Sequence, residues 1–295
     1  MTARILDGKS LAAELRAEVA ADVAVLQQQA GIVPGLGVVL VGDDPASRSY
    51  VTAKEKACAA AGIHSIERRL LATATREDIL ATVHELNGND LVDGILVQLP
   101  LPNPAIEREV IESIDPAKDV DGFHPLNIGR MVLGLPAFIP CTPAGVMEIL
   151  HRAAVPLAGA SVVVIGRSQI VGRPLSILLS QKGVDATVTV CHTQTKNLAH
   201  LTREADVIVV AAGRPGTLTA AMVRPNAVII DVGVNRVPDS TKASGYRLVG
   251  DVEFEALAQK VAAITPVPGG VGPMTIAMLL RNTVDAARRR RLGPA

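Results

Sequence analysis

Tyr50 and Lys54 lie four residues apart in the segment SRSYVTAKEKAC, so on a helix both side chains project from one face while Lys56 points elsewhere. A lysine whose charge is disfavoured by desolvation can exchange protons near neutral pH, and a neighbouring tyrosine can stack its ring and donate its hydroxyl. The same spacing also describes an ordinary amphipathic surface helix, so the pair is weighed with its company. Gln98 closes the apolar run DGILVQ just before LPLP, and Asp119 and Asp121 share the turn-like KDVDGFHP. In a parallel α/β sheet these segments fall on the side where ligands bind.

A second set of residues speaks to nucleotide chemistry. In SVVVIGRSQIVGRPLSILL an apolar strand runs into Gly166, a polar turn and a helix expected to begin near Ile170, an arrangement that aims backbone N–H groups at a phosphate. Ser168 stands where a full G-x-G-x-x-G has its second glycine, so a plain strand-to-helix turn stays open as a reading. The next strand ends CHTQTKN, without the acid that usually holds a ribose 2′-hydroxyl. Arg167, Thr193 and Lys196 suit a 2′-phosphate instead, so the expected cofactor is NADP. His192 reads as a loop residue without a catalytic role. AVIIDVGVNR places Asp231, Val232 and Gly233 at another carboxyl edge, where Gly233 suits either close approach of a nicotinamide or a simple strand-to-turn glycine.

The elements that must position these residues follow from composition and pattern. The chain has 295 residues, 48% of them hydrophobic, which is ample for two buried cores. Lys plus Arg equals Asp plus Glu at 29 each, so no global field draws it to nucleic acid or an anionic membrane. Arg288 to Arg291 form the one basic cluster and read as the frayed end of a last helix, where cations suit the dipole. Cys58, Cys141 and Cys191 are widely spaced and lack a C-x-x-C pair, so neither a disulfide framework nor a metal site is expected. The N-terminal MTARILDGKSLAAELRAEV has no apolar signal region, which makes the cytoplasm the default. The uncharged Val261 to Leu280 is broken by prolines and glycines and reads as strand, loop and helix, not a membrane span.

Helix-period segments alternate with Val- and Ile-rich runs: GLGVVLVG, HSIERRLL, DGILVQ, SVVVIG, DATVTVC, DVIVV and AVIIDVG read as strands. Ser10 and Gly31 are the expected cap and stop of a first helix, and Thr142 and Pro143 the expected start of a later one. Strands apolar on both faces and separated by helices mean parallel sheets covered on two sides. A composition change at PAFIPCTP divides two α/β domains: residues 1–140, joined by a C-terminal helix 275–295, and residues 141–274.

In sequence order, YVTAKEKACAAAGI, QLPLP, DVDGFHP, CTPAG, VVIGRSQIVGRP, CHTQT and TPVPGGVGPMT resemble the motif series of the bifunctional methylenetetrahydrofolate dehydrogenase/methenyltetrahydrofolate cyclohydrolase family. The resemblance implies an N-terminal α/β catalytic domain that binds tetrahydrofolate, a Rossmann-type parallel-sheet NADP domain, a cleft between them, and a homodimer joined through the nucleotide domains. It implies oxidation of 5,10-methylenetetrahydrofolate with NADP and hydrolysis of the methenyl product to 10-formyltetrahydrofolate, in one-carbon metabolism. The family's folate-site and catalytic residues carry over to Tyr50, Lys54, Gln98 and Asp121, and its cofactor contacts to Gly166, Arg167 and Ser168, with Val232 at a further strand end. Its serine in C-H-S-x-T falls on Thr193, which keeps the hydroxyl. Asp121 suits bidentate recognition of pterin N–H groups, and the loop through Pro268, Gly269 and Gly272 offers bare backbone to a flat ligand. A short-chain dehydrogenase also uses Y-x-x-x-K, but there the nucleotide motif precedes the pair, whereas Tyr50 precedes Gly166. A non-catalytic nucleotide-sensing protein of the same fold would have no use for Lys54, Gln98 and Asp121 together.

Overall fold

The computed structural model describes residues 2–242 and 245–293, and divides the chain into two compact units. One comprises Ala13–Cys141 with Ile276–Ala295, the other Met1–Ala12 with Thr142–Thr275.

In the first unit the wholly buried strand Gly35–Val41 lies between His64–Leu70 and Gly94–Val97, parallel to both. Val39, Val41, Ile95 and Val97 pack with Ile79, Val83 and Leu86 of helix Arg76–Gly88. That helix starts at a capping box in which Thr75 and Asp78 satisfy each other's backbone N–H groups. Helix Pro45–Ala61 starts at Asp44, whose carboxylate accepts from Ser47 N–H, and stops at Gly62 in the left-handed region at φ 74°. Its buried stripe is Val51, Lys54 and Cys58, at i, i+3 and i+7. Lys54 is therefore carried on the apolar face, which leaves it only 5% exposed.

The second unit is a six-stranded parallel sheet in the order Arg4–Ile5, Ala263–Ile264, Val228–Asp231, Val207–Val210, Ser161–Ile165 and Thr187–Cys191. Val163, Ile165, Ile208, Val210 and Ile229 build one face of its core, while the alternate residues Val162, Val164, Val207, Val209 and Ile230 are buried as well. The first twelve residues belong here because Arg4 and Ile5 pair with Ala263 and Ile264. A separate antiparallel hairpin, Asn235–Pro238 with Tyr246–Val249, has no counterpart in the sequence reading.

Several expectations are corrected. The first helix spans Gly8–Ala30 and is capped by Asp7, whose carboxylate accepts from Lys9 and Ser10 N–H and from the Ser10 hydroxyl; Gly31 does stop it, at φ 65°. The later helix begins at Cys141, and the Thr142 hydroxyl pairs with that of Thr275 at 3.1 Å. The loop-rich stretch after Gln98 contains Glu107–Glu112 and Pro125–Val132 as short helices. Arg288 to Arg291 are not frayed: Arg288 pairs with Asp22, Arg289 covers the Phe138 ring, and Arg290 and Arg291 both bind the fully buried Asp93. No helix among the described residues is long and apolar enough to cross a membrane.

Candidate active site

In the first unit, Tyr50 and Lys54 stand one turn apart on helix Pro45–Ala61, with the Lys54 ammonium 4.5 Å from the centre of the Tyr50 ring. Gln98 follows strand Gly94–Val97 and accepts from Lys54 Nζ through Oε1 at 3.1 Å. Its amide orientation is fixed from the other side, because Nε2 donates to the Leu99 carbonyl at 2.7 Å. Burial pulls the Lys54 ammonium below the usual lysine range, and the charges of Asp121, Cys141 and Cys58 oppose that pull. Asp121 is the complementary case. Enclosure pushes its carboxyl up to about 6, against the nearby Lys54 charge and a hydrogen bond from Cys141. The result is a carboxyl and an amine that both titrate away from their ordinary values beside a hydrogen-bonding amide and an aromatic face.

The turn that presents Asp121 is built by its neighbours. Asp119 accepts from Phe123 N–H, His124 N–H and Asn127 Nδ2, so its carboxylate shapes the turn. Lys118 is buried and donates to the carbonyls of Leu86, Asn87 and Asn89, closing the C-terminal end of helix Arg76–Gly88. Gly122, at φ 74°, lies so close to Ile139 and Pro140 that a Cβ would approach their backbone to 2.6 Å. Cys141, whose thiol faces Asp121, belongs to this group although the sequence reading gave it no role.

In the second unit the nucleotide candidates line the carboxyl ends of adjacent strands. Gly166 N–H bonds Cys191 O at 2.9 Å, which sets the Gly166 loop beside the exposed Thr193 turn, and Val232 N–H bonds Val210 O at 2.9 Å two strands further along. Gly166 sits at φ 127°, and a Cβ on Gly172 would come 2.1 Å from the Gly166 carbonyl. Gly172, not singled out from sequence, is thus what lets the helix start beneath the loop. That helix runs Gly172–Ser180, two residues later than expected, because Ser168 Oγ accepts from Val171 and Gly172 N–H at 3.1 and 3.4 Å. Arg167, Ser168, Thr193 and Lys196 are exposed around it. A helix N-terminus, a bare-glycine turn, two basic side chains and hydroxyls, with no acid ending strand Thr187–Cys191, fit a dinucleotide bearing an extra phosphate. His192 Nδ1 accepts from Gln194 N–H, a turn-forming contact.

Gly233 has a structural reason of its own. A Cβ there would reach 2.2 Å from the Asp251 carboxylate, which accepts from Ala212 and Gly213 N–H and from Asn235 Nδ2. Asp231, pushed up to about 6 by burial, accepts in turn from Gly233, Asp251 and Val252 N–H. The two carboxylates brace the loops that carry Val232. Beyond strand Ala263–Ile264, Pro268 is exposed, Gly269 takes φ 105° and Gly272 has no atom within 4 Å of a built Cβ. Gly270, by contrast, is pressed against Pro266 O.

Comparison with known proteins gives a consistent result. Residues 6–121 match the family model of the tetrahydrofolate dehydrogenase/cyclohydrolase catalytic domain, and residues 140–291 match that of its NAD(P)-binding domain. The chain is 52% identical to the bifunctional protein FolD of Geotalea uraniireducens over 98% of this chain and 100% of that one. It is similar to the crystal structure of the bifunctional FolD dehydrogenase/cyclohydrolase of Campylobacter jejuni, with TM-score 0.91, 48% identity, and coverage of 97% and 99%. The Trypanosoma brucei enzyme, solved with NADP cofactor and inhibitor, superposes with TM-score 0.94 at 39% identity over 98% of this chain and 99% of that one.

Proposed function

The chain belongs to the tetrahydrofolate dehydrogenase/cyclohydrolase family, and from that premise we propose how its residues divide the work of an NADP-dependent methylenetetrahydrofolate dehydrogenase and methenyltetrahydrofolate cyclohydrolase. Folate is held by Tyr50, Lys54, Gln98 and Asp121. Gly166, Arg167, Ser168, Thr193 and Val232 hold NADP, which when bound supplies the hydride acceptor. Dehydrogenation needs orientation of the methylene bridge and no acid or base from the protein. Asp121, ionised above a pKa of about 6, accepts pterin N–H donors, and the Tyr50 ring offers a stacking face.

Hydrolysis of the methenyl cation asks more of the protein. Water adds to the bridging carbon and must lose a proton; a second proton then moves from the new hydroxyl to the ring nitrogen as the carbon–nitrogen bond opens, leaving a formyl group and one released proton. Lys54, with its proton affinity lowered by burial, takes and returns those protons, while Gln98 aims its Nζ and Asp121 balances its charge. The observation that carries this reading is the buried Lys54 ammonium held 3.1 Å from Gln98 and over Tyr50. Mixing the protein with methylenetetrahydrofolate and NADP tests the first activity, since reduced nucleotide should accumulate, and adding the methenyl compound alone tests the second; no hydrolysis above the uncatalysed background would count against the role of Lys54.

Tyr50 and Lys54 lie in a different unit from the Gly166 loop, which is contrary to the short-chain dehydrogenase alternative. We further propose a homodimer and a cytoplasmic location, the latter supported by three buried free thiols. A monomer mass by sedimentation at working concentration would refute the dimer.

A further inference from the structure

The strand order of the second unit reverses beside Ser161–Ile165: the chain lays Thr187–Cys191 on one side of it and then Val207–Val210 on the other. Such a reversal opens a crevice at the carboxyl ends of the diverging strands, and dinucleotides lie across it. One wall is the Gly166 loop. The other is turn 211–213, which follows Val207–Val210. Ala211 N–H bonds the Ile165 carbonyl at 2.8 Å, and the Ala211 carbonyl stands 2.2 Å from a Cβ built on Gly166, so the two walls meet at their base. Ala212 and Gly213 are exposed, and a Cβ built on Gly213 has no atom within 4 Å.

One side chain holds this second wall. Asp251 is fully buried; its Oδ2 accepts from Ala212 and Gly213 N–H at 2.7 and 2.8 Å, and its Oδ1 from Asn235 Nδ2 at 2.8 Å. The Asp251 carbonyl accepts from Thr217 N–H at 2.8 Å, which fastens the far end of the same loop. Asp251 is fixed in turn by Asp231, whose carboxylate accepts from Asp251 and Val252 N–H at 3.0 and 3.2 Å. Gly250 leaves room for that carboxylate, since a Cβ there would come 1.8 Å from Asp231 Oδ2.

We propose that Asp251 is a positioning residue for the nicotinamide half of NADP. The inference rests on the reading of Gly166, Arg167 and Thr193 as phosphate contacts. With the 2′-phosphate at Thr193 on one side of strand Ser161–Ile165 and the pyrophosphate on the Gly166 loop, the rest of the dinucleotide runs to the opposite side, along turn 211–213 toward Val232. Having no exposed surface, Asp251 does not meet the nucleotide and acts through the turn. It orders that wall before the nucleotide arrives; without it the turn is ordered only on binding, and the ordering cost is taken from affinity.

The test measures binding of NADP, NAD and adenosine 2′,5′-bisphosphate, which lacks the nicotinamide half, by calorimetry in Asp251→Ala, Asp251→Asn, Asp251→Asn/Asn235→Ala and Arg167→Ala, with thermal melts to check folding. Asp251→Ala should raise the Kd for NADP and NAD alike by about tenfold, while the bisphosphate binds as it does to wild type. Hydrogen exchange at Ala212 and Gly213 N–H should quicken in that variant and slow again when NADP is added. In Asp251→Asn the amide sets donor against donor whichever way it turns, facing Asn235 or the two N–H groups; removing Asn235 as well should recover part of the lost affinity. An unchanged Kd for NADP in Asp251→Ala overturns the proposal. So does a parallel loss of NADP and bisphosphate binding, the mark of general damage to the unit, and so does failure of both Asp251→Ala and the double variant to fold. Wild-type affinity of Arg167→Ala for the bisphosphate would instead sink the underlying assignment of the phosphate contacts.

Discussion

The Asp93 latch yields a stability prediction whose size can be worked from the geometry. Asp93 is fully buried and accepts from Arg290 Nη1 at 2.6 Å, Arg291 Nε and Nη2 at 2.8 Å each, and Gly35 N–H at 2.9 Å. Removing one partner of a buried, hydrogen-bonded ion pair costs about 3–5 kcal/mol, because the other charge is left uncompensated. The guanidinium side chains keep 21% and 25% exposure, so water recovers part of that loss. We therefore expect Asp93→Asn to cost about 2–3 kcal/mol, at or just below the bottom of that range. With a urea slope of about 1–3 kcal/mol/M, the midpoint falls by on the order of 1 M. The assay is urea unfolding followed by far-UV circular dichroism, with hydrogen exchange of the Gly35 amide as a local reporter. In an Arg290→Gln/Arg291→Gln background the same change should cost only about 1 kcal/mol, since no unpaired cations remain. A loss below about 0.5 kcal/mol in the native background, the range of ordinary surface changes, would refute the latch.

Arg167→Ala should raise the KM for NADP more than that for NAD, because only NADP carries the 2′-phosphate; equal effects on both cofactors would remove Arg167 from that contact. For Asp121 the folded carboxyl sits at about 6 against an ordinary 3.8, so it binds its proton more tightly folded than unfolded, and stability is lost as pH rises from about 4 through 6. Asp121→Asn removes that penalty, so it should be more stable than wild type by about 3 kcal/mol at pH 7 and nearly equal at pH 4, while binding folate more weakly. A melting series across that pH window that shows no widening gap would contradict the burial argument.

What the sequence made legible were features with a local cause. Val- and Ile-rich runs became parallel strands, and Gly31 stops the first helix at a left-handed φ. Boundaries slipped where a tertiary or cap contact won: Asp7 in place of Ser10, and Ser168 delaying the helix to Gly172. The strand Arg4–Ile5 offers two residues and no periodicity, and exists because Ala263–Ile264 presents an edge to it. The hairpin around Pro238 has no apolar run to mark its strands. Within the site, Tyr50, Lys54, Gln98 and Asp121 could be named from motif order. Cys141 and the Asp231–Asp251 brace act through contacts between segments far apart in the chain, which no spacing rule encodes. For Gly233 the sequence left ligand clearance and a plain strand-to-turn glycine both open, because a glycine shows only that something is near, and here Asp251 is near.

The central claim is that one buried lysine serves hydrolysis and is dispensable for hydride transfer. Lys54→Met keeps much of the side-chain volume but cannot exchange protons. Purified variant and wild type should be assayed with methylenetetrahydrofolate plus NADP, and separately with methenyltetrahydrofolate. A positioned acid–base group contributes about 10²- to 10⁴-fold, so cyclohydrolase turnover should fall by that factor toward the uncatalysed background while dehydrogenase activity stays measurable. Hydrolysis of the methenyl compound by Lys54→Met at near wild-type rate would contradict the account.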